Sequence, residues 1–191
     1  MKLRGYFLYV LLALTGAIVI GLDQWSKAAI RQHFGVCPSP SDMYIPLVGQ
    51  YFGIVYACNT GSAFSFFEHG QQALLYFFIA VALATVVWLY VRFARHANAL
   101  LQVIFGLVLG GAVGNLIDRF HLGYVTDFLL FRIPPAFSFP VFNLADSSIC
   151  VGIFLLILYF WRRPVGEQQA APVEQEGTSM ESSSANQSST Q

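Results

Sequence analysis

The chain has 191 residues, of which 56% are hydrophobic and only 10% are charged, and its formal net charge is zero. Soluble domains normally contain about a quarter charged residues, so an ordinary soluble domain is excluded and no nucleic-acid partner is expected. Four apolar stretches cover roughly residues 6–22, 73–91, 100–117 and 141–161. Because about 20 helical residues cross a bilayer, they predict an α-helical integral membrane protein with four transmembrane helices.

The first helix is predicted over residues 5–33. No small-x-small cleavage site follows its apolar run, which favours a retained span over a signal peptide. Asp23 and Lys27 lie four residues apart near its far end, in the favourable order for an ion pair on a helix. A charged pair that simply caps the span is the alternative interpretation.

The segment after this helix is predicted to form a small sheet. Residues 35–42 are rich in proline and serine and indicate a loop, whereas residues 44–56 are rich in aromatic and β-branched residues and predict two short strands. Asn59 follows in a predicted turn, where an asparagine can serve only as a cap. Cys37 and Cys58 lie on the same predicted side of the membrane, which leaves a disulfide between them open.

The third span combines small residues with a polar end. Gly110, Gly114 and Asp118 share one helix face at four-residue spacing, and glycines at such spacing permit close contact with another helix. Asn115 and Arg119 lie on the neighbouring face. Glycines that lead to three polar residues at one end predict a polar pocket on a closely packed helix.

Two aspartates frame the connection to the last span. Asp127 lies in a predicted strand over residues 124–131, and Asp146 follows Asn143 at the start of the fourth apolar stretch. Burying a carboxylate in such a context is costly unless it is paired or hydrated. Two carboxyl groups at hydrogen-bond distance cannot both ionise, so one would hold a proton while the other activates water. We therefore predict that the chain is organised around this pair.

Charge segregation predicts the topology. All six acidic residues before residue 164 fall on one side of the predicted spans, while basic residues predominate on the other. Basic flanks mark the cytoplasmic side, so both termini are predicted cytoplasmic and the acidic cluster exoplasmic. Residues 1–163 would form the four-span domain. Residues 164–191 are polar and of low complexity, and predict a disordered cytoplasmic tail.

Other chemistries lack their motifs in this sequence. The four histidines are scattered, none of them paired with a motif serine or cysteine, and no His, Cys or Glu spacing indicates zinc. No glycine-rich loop follows a strand, so no nucleotide cofactor is expected. Two aspartates with amide and guanidinium neighbours remain, and they suit acid–base hydrolysis without a metal.

Five ordered motifs resemble those of bacterial lipoprotein signal peptidase (signal peptidase II). The resemblance covers about residues 5–163 and is carried by Asp-Gln-Trp-Ser-Lys at 23–27, Asn-Thr-Gly-Ser-Ala-Phe at 59–64, Gly-Asn-Leu-Ile-Asp-Arg at 114–119, Val-Thr-Asp-Phe at 125–128 and Phe-Asn-Leu-Ala-Asp at 142–146. It implies four membrane helices with a small periplasmic β-sheet. It also implies an aspartic endopeptidase of the bacterial inner membrane, which removes signal peptides from prolipoproteins just before a cysteine that carries a diacylglyceryl group.

The resemblance also assigns residues. Asp127 and Asp146 would be the catalytic dyad. The binding or supporting residues would be Asp23, Lys27, Asn59, Asn115, Asp118, Arg119 and Asn143. Cys58 and the long tail depart from the common pattern. A proton-coupled membrane transporter is the alternative function, although such proteins normally carry their acids near mid-span and show internal repeats.

Overall fold

The computed structural model describes residues 2–35, 37–38, 43–61, 72–94, 98–133 and 137–162. Within these ranges the elements in chain order are α1 (Lys2–Phe34), β1 (Ile45–Val48), β2 (Phe52–Asn59), α2 (Gln72–Leu89), a π-helical turn (Tyr90–Ala94), α3 (Ala99–Leu122), β3 (Val125–Ile133), β4 (Phe137–Ser138) and α4 (Leu144–Trp161). Two compact units divide the chain, Met1–Ile157 and Leu158–Gln191. All predicted site residues belong to the first unit. Of the second unit, the structure describes the end of α4 and the residue after it.

Glycines on α3 bring that helix into direct contact with α1, as the sequence predicts. A Cβ atom added to Gly110 would lie 2.9 Å from the backbone oxygen of Gly16, and one added to Gly114 would lie 2.6 Å from the carboxylate of Asp23. On the neighbouring face of α3, Gly111 packs against the first turns of α4. Side chains larger than hydrogen at these positions would separate the helices, so the glycines determine how closely the polar groups approach one another.

The helices carry apolar side chains outward and charged side chains inward. Leu14 and Ile18 of α1 and Phe154 of α4 are exposed, whereas Asp23 and Lys27 are completely buried. This distribution suits a protein surrounded by lipid, in which ionisable groups face the interior of the helix bundle. The prediction of an α-helical membrane protein with a small sheet is therefore confirmed.

The number of spans is a separate question. In the described part of the chain, three helical segments are long and apolar enough to cross a membrane: Tyr6–Phe34, Ala99–Leu122 and Leu144–Trp161. The searched part of α2 and its π-helical turn, Tyr76–Arg92, is apolar but shorter. The count of four spans stays a prediction.

The four strands form one antiparallel sheet in the order β1-β2-β3-β4. The two strands predicted within residues 44–56 are confirmed, but β2 continues to Asn59, which was assigned to a turn. The extension has a physical cause, because the strand pairs with β3 up to the partners Asn59 and Val125 after an irregularity between Ile54 and Ala57. Asn59 Oδ1 also accepts from the backbone amide of Gly61 at 2.9 Å, so this residue both ends β2 and lies beside the strand that carries the first predicted acid.

A disulfide joins Cys37 to Cys58, with 6.1 Å between their Cα atoms. It connects the chain just after α1 to the penultimate residue of β2. The predicted tail at 164–191 lies outside the described residues.

Candidate active site

Asn143 caps α4 and orients Asp146 in the first turn of that helix. The Asp146 amide donates to Asn143 Oδ1 at 2.9 Å, and the Asn143 amide donates to Asp146 Oδ2 at 3.2 Å. This reciprocal pattern satisfies two amide groups that a helix N-terminus leaves without partners. Asn143 was predicted to lie within the span, but it immediately precedes α4 because its side chain supplies the cap.

Asp127 is buried on β3, with 2% of its surface exposed. Its Oδ2 accepts a hydrogen bond from Asn59 Nδ2 at 3.0 Å, and its Oδ1 accepts one from Asn143 Nδ2 at 2.7 Å. Burial raises the pKa of Asp127 to about 6; the charge of Asp146 also raises it, while the two amide donors partly offset the effect. This carboxyl group can therefore exchange a proton close to neutral pH.

Two amide side chains connect Asp127 to Asp146. Asn143 Nδ2 donates to Asn115 Oδ1 at 3.0 Å as well as to Asp127, and Asn115 Nδ2 donates to Asp146 Oδ1 at 2.7 Å. Lys27 Nζ donates to Asn115 Oδ1 at 2.9 Å and so fixes the orientation of that amide. The fold thus brings the two predicted acids of β3 and α4 into one hydrogen-bonded group.

A buried ionic layer lies behind this group. Lys27 Nζ is 2.8 Å from Asp23 Oδ2 and 3.6 Å from Asp118 Oδ2, and all three residues are at most 2% exposed. Asp23 Oδ1 accepts from the backbone amide of Ala145 at 3.0 Å, and Asp118 Oδ2 accepts from that of Thr126 at 2.8 Å. These acids therefore hold the beginnings of α4 and β3, so their contacts are those of supporting residues.

Arg119 borders the two predicted catalytic acids. Its positive charge interacts with Asp146 and Asp127, and its Nη1 lies 3.4 Å from the backbone oxygen of Asn115. Its Nε atom is buried and has no hydrogen-bond partner among the described residues. The Arg119 Nε–H group can therefore donate a hydrogen bond to a polar atom that does not belong to the described residues.

Three further side-chain contacts around the ionic layer were not predicted from the sequence. Gln24 Nε2 lies 3.3 Å from Asp118 Oδ1, and Arg31 Nη1 donates to Thr126 Oγ1 at 2.9 Å while lying 3.6 Å from Asp118 Oδ1. A signal existed for Arg31, which follows Lys27 by one helical turn on the same face. No comparable signal existed for the hydroxyl of Thr126, because strand periodicity does not identify a partner on another element.

The linked carboxyl groups are the part of this arrangement that is suited to acid–base chemistry. A buried acid with a pKa near neutrality, joined through amides to a second acid, can take up and release protons during hydrolysis. Within the described residues, no cluster of three or more His, Cys, Asp or Glu side chains is placed to hold a metal ion. The expectations that the protein uses no metal and no cofactor remain predictions.

Comparison with known proteins identifies the family. The family model described as Signal peptidase (SPase) II matches residues 15–162, which include every predicted site residue. The chain belongs to the signal peptidase II family. The resemblance carried by the five motifs is thereby confirmed, and nothing in these comparisons supports a transporter.

Relatives in the signal peptidase II family match most of the chain. Lipoprotein signal peptidase from Halothermothrix orenii is 39% identical over 147 residues, which cover 76% of this chain and 92% of the relative. The protein of that name from Moorella thermoacetica is 37% identical over 166 residues, which cover 86% and 99%. A solved structure described as a bacterial membrane enzyme, determined by the in meso method at 1.9 Å resolution, has a TM-score of 0.67 and 27% identity over 80% of this chain and 93% of that one.

Proposed function

We propose that this protein removes signal peptides from lipoprotein precursors, with Asp127 and Asp146 as its catalytic acids. Membership of the signal peptidase II family and the curated relatives named lipoprotein signal peptidase support the reaction. The single observation that supports the catalytic assignment is that Asn143 contacts both acids. Its side-chain amide group donates to the Asp127 carboxylate, and its backbone amide and side-chain oxygen hydrogen-bond to Asp146.

The proposed reaction is hydrolysis of one peptide bond by water. One carboxylate, ionised, accepts a proton from the water as its oxygen attacks the carbonyl carbon of the scissile bond. The other, protonated, donates a hydrogen bond to the carbonyl oxygen, and a proton then passes to the leaving amine as the carbon–nitrogen bond breaks. The roles of base and acid are assigned to Asp127 and Asp146 as a pair, and neither acid is assigned one role alone.

The proposed substrate is a prolipoprotein whose cysteine already carries a diacylglyceryl group, with cleavage just before that cysteine. A signal-peptide helix and two acyl chains are apolar, and they would lie in membrane lipid against the outward apolar faces of the spans. The scissile bond would reach the polar ends of α1, α3 and α4, where Asn115 and Asn143 connect Asp127 to Asp146. The protein thus needs lipid and a lipid-modified peptide as partners.

The assay compares a precursor carrying the diacylglyceryl group with the same precursor lacking it, using purified protein in detergent. Asp127→Asn and Asp146→Asn should each lower turnover by several orders of magnitude, and the double variant should cost little more, because members of one catalytic unit are non-additive. Gln50→Asn, an amide change at an exposed position in the turn between β1 and β2, should keep wild-type turnover. Substantial activity in either single variant would remove that acid from the mechanism and make Asp118 the next candidate.

The proposed location is the bacterial inner membrane, with four spans, both termini in the cytoplasm and the acids at the periplasmic face. An impermeant thiol reagent should label Gln50→Cys, in the turn between β1 and β2, in intact spheroplasts. It should label Ala99→Cys, at the start of α3, only after lysis. The reverse pattern would show that the topology is inverted.

The polar segment after residue 163 is proposed to be a dispensable tail, so truncation after Gly166 should leave cleavage unchanged.

A further inference from the structure

Thr126 is held by two different helices immediately before the proposed catalytic acid of β3. Its backbone amide donates to Asp118 Oδ2 of α3 at 2.8 Å, and its hydroxyl accepts from Arg31 Nη1 of α1 at 2.9 Å. The side chain is completely buried, so water does not compete for either bond. Asp118 also lies 3.6 Å from Arg31, and the three residues therefore form one contact group.

Asp127 is fixed by backbone contacts on both of its sides. On one side is Thr126, bound to α1 and α3 as described. On the other side, the amides of Phe128 and Leu129 donate to the backbone oxygen of Phe142 at 3.0 and 2.8 Å, and that residue directly precedes the cap of α4. Asp127 and Thr126 pair in register with Ala57 and Cys58 of β2, next to an irregularity between Ile54 and Ala57. The contacts of Thr126 therefore connect this part of β3 to α1 and α3, while Asn143, the cap of α4, binds the Asp127 carboxylate directly.

We propose that Arg31 is a positioning residue, which acts through the hydroxyl of Thr126 to hold Asp127 in reacting geometry. This inference deepens the proposed function and rests on it. A charge-assisted hydrogen bond is roughly twice as strong as a neutral one, and a displacement of about 1 Å at a reacting group can lower a rate by about a hundredfold. Neither side chain hydrogen-bonds to Asp127 itself, so the effect operates through the strand.

The sharpest perturbation is Thr126→Val, which keeps the shape of the side chain and the charge of the site but removes the acceptor hydroxyl. We expect kcat for the lipid-modified precursor to fall about tenfold while KM stays within about twofold of wild type, because Thr126 is buried and does not contact substrate. Thr126→Ser is the matched control: it keeps the hydroxyl and should restore kcat to within about threefold of wild type.

Arg31→Gln completes a double-mutant cycle and provides a second route if Thr126→Val does not accumulate. Alone it should lower kcat at least tenfold with little change in KM, and combined with Thr126→Val it should lower kcat no further than the more damaging single variant. A wild-type kcat in Thr126→Val or in Arg31→Gln, equal losses in the Val and Ser variants, or additive losses would each overturn the inference. Wild type and Asp127→Asn are assayed alongside, so failure of the proposed function itself would appear as no cleavage by wild type or full cleavage by Asp127→Asn.

Discussion

Replacing Asp127 by asparagine should change how the stability of the protein depends on pH. Burial raises the pKa of this carboxyl group to about 6 in the folded protein, against 3.8 for an ordinary aspartate. The folded state therefore keeps a proton between about pH 4 and pH 6 that the unfolded state has released. In that window the free energy of unfolding falls as the pH rises, which is the opposite of the behaviour of an acid stabilised in its ionised form.

The magnitude follows from the size of the pKa difference. A shift of one pKa unit corresponds to about 1.4 kcal/mol, so about two units amount to roughly 3 kcal/mol between pH 4 and pH 7. The side chain is 2% exposed, so solvent screening reduces this value little. Asparagine does not titrate, and the variant should gain about this much stability relative to wild type as the pH rises from 4 to 7.

The measurement is the unfolding of both proteins in the same detergent at pH 4, 5, 6 and 7. The difference in free energy of unfolding between Asp127→Asn and wild type should grow across this series, whatever its absolute value at pH 4. A difference that stays constant for Asp127→Asn, or that shifts in favour of wild type as the pH rises, would refute the raised pKa of Asp127.

Three further predictions address other parts of the structure. In Asn143→Ser the serine still caps α4, but its side chain is too short to reach Asp127 on β3, so kcat should fall at least tenfold. This variant should be more stable than Asn143→Ala by about 1 kcal/mol, and equal stabilities would contradict the capping role. Gly110→Ala places a methyl group 2.9 Å from a backbone oxygen of α1 and should lower the thermal midpoint, whereas Gly21→Ala, with nothing within 4 Å, should not. Replacing Cys37 and Cys58 by serine should cost about 3 kcal/mol for their separation of 21 residues, and adding reductant to wild type should have the same effect.

The features that the sequence predicted are those with a local signature. Gly110 and Gly114 recur at helical spacing, and that spacing alone places them on one face toward a partner helix. Asp23 and Lys27 are likewise neighbours by helix geometry, and the structure pairs them at 2.8 Å. The family motifs then supplied the proposal that Asp127 and Asp146 are the catalytic acids, which spacing alone could only suggest.

The features that the sequence did not predict depend on contacts between elements. Asn59 belongs to β2 because of its pairing with β3, and neither strand contains that information alone. Asn143 was placed inside the span because its capping contacts cannot be read from an apolar pattern. The bond between Arg31 and Thr126 joins residues 95 positions apart, and only the folded backbone aims one side chain at the other.

The ion pair between Asp23 and Lys27 has a consequence for how the chain is made. Both charges lie on one helix, so they neutralise each other as soon as that helix forms. Asn115, which Lys27 also contacts, is synthesised 88 residues later. An unpaired lysine or aspartate would oppose transfer of the first span from the insertion machinery into lipid. Because both charges are paired on the same helix, α1 can enter the bilayer before α3 has been synthesised. The later arrival of α3 then completes the site.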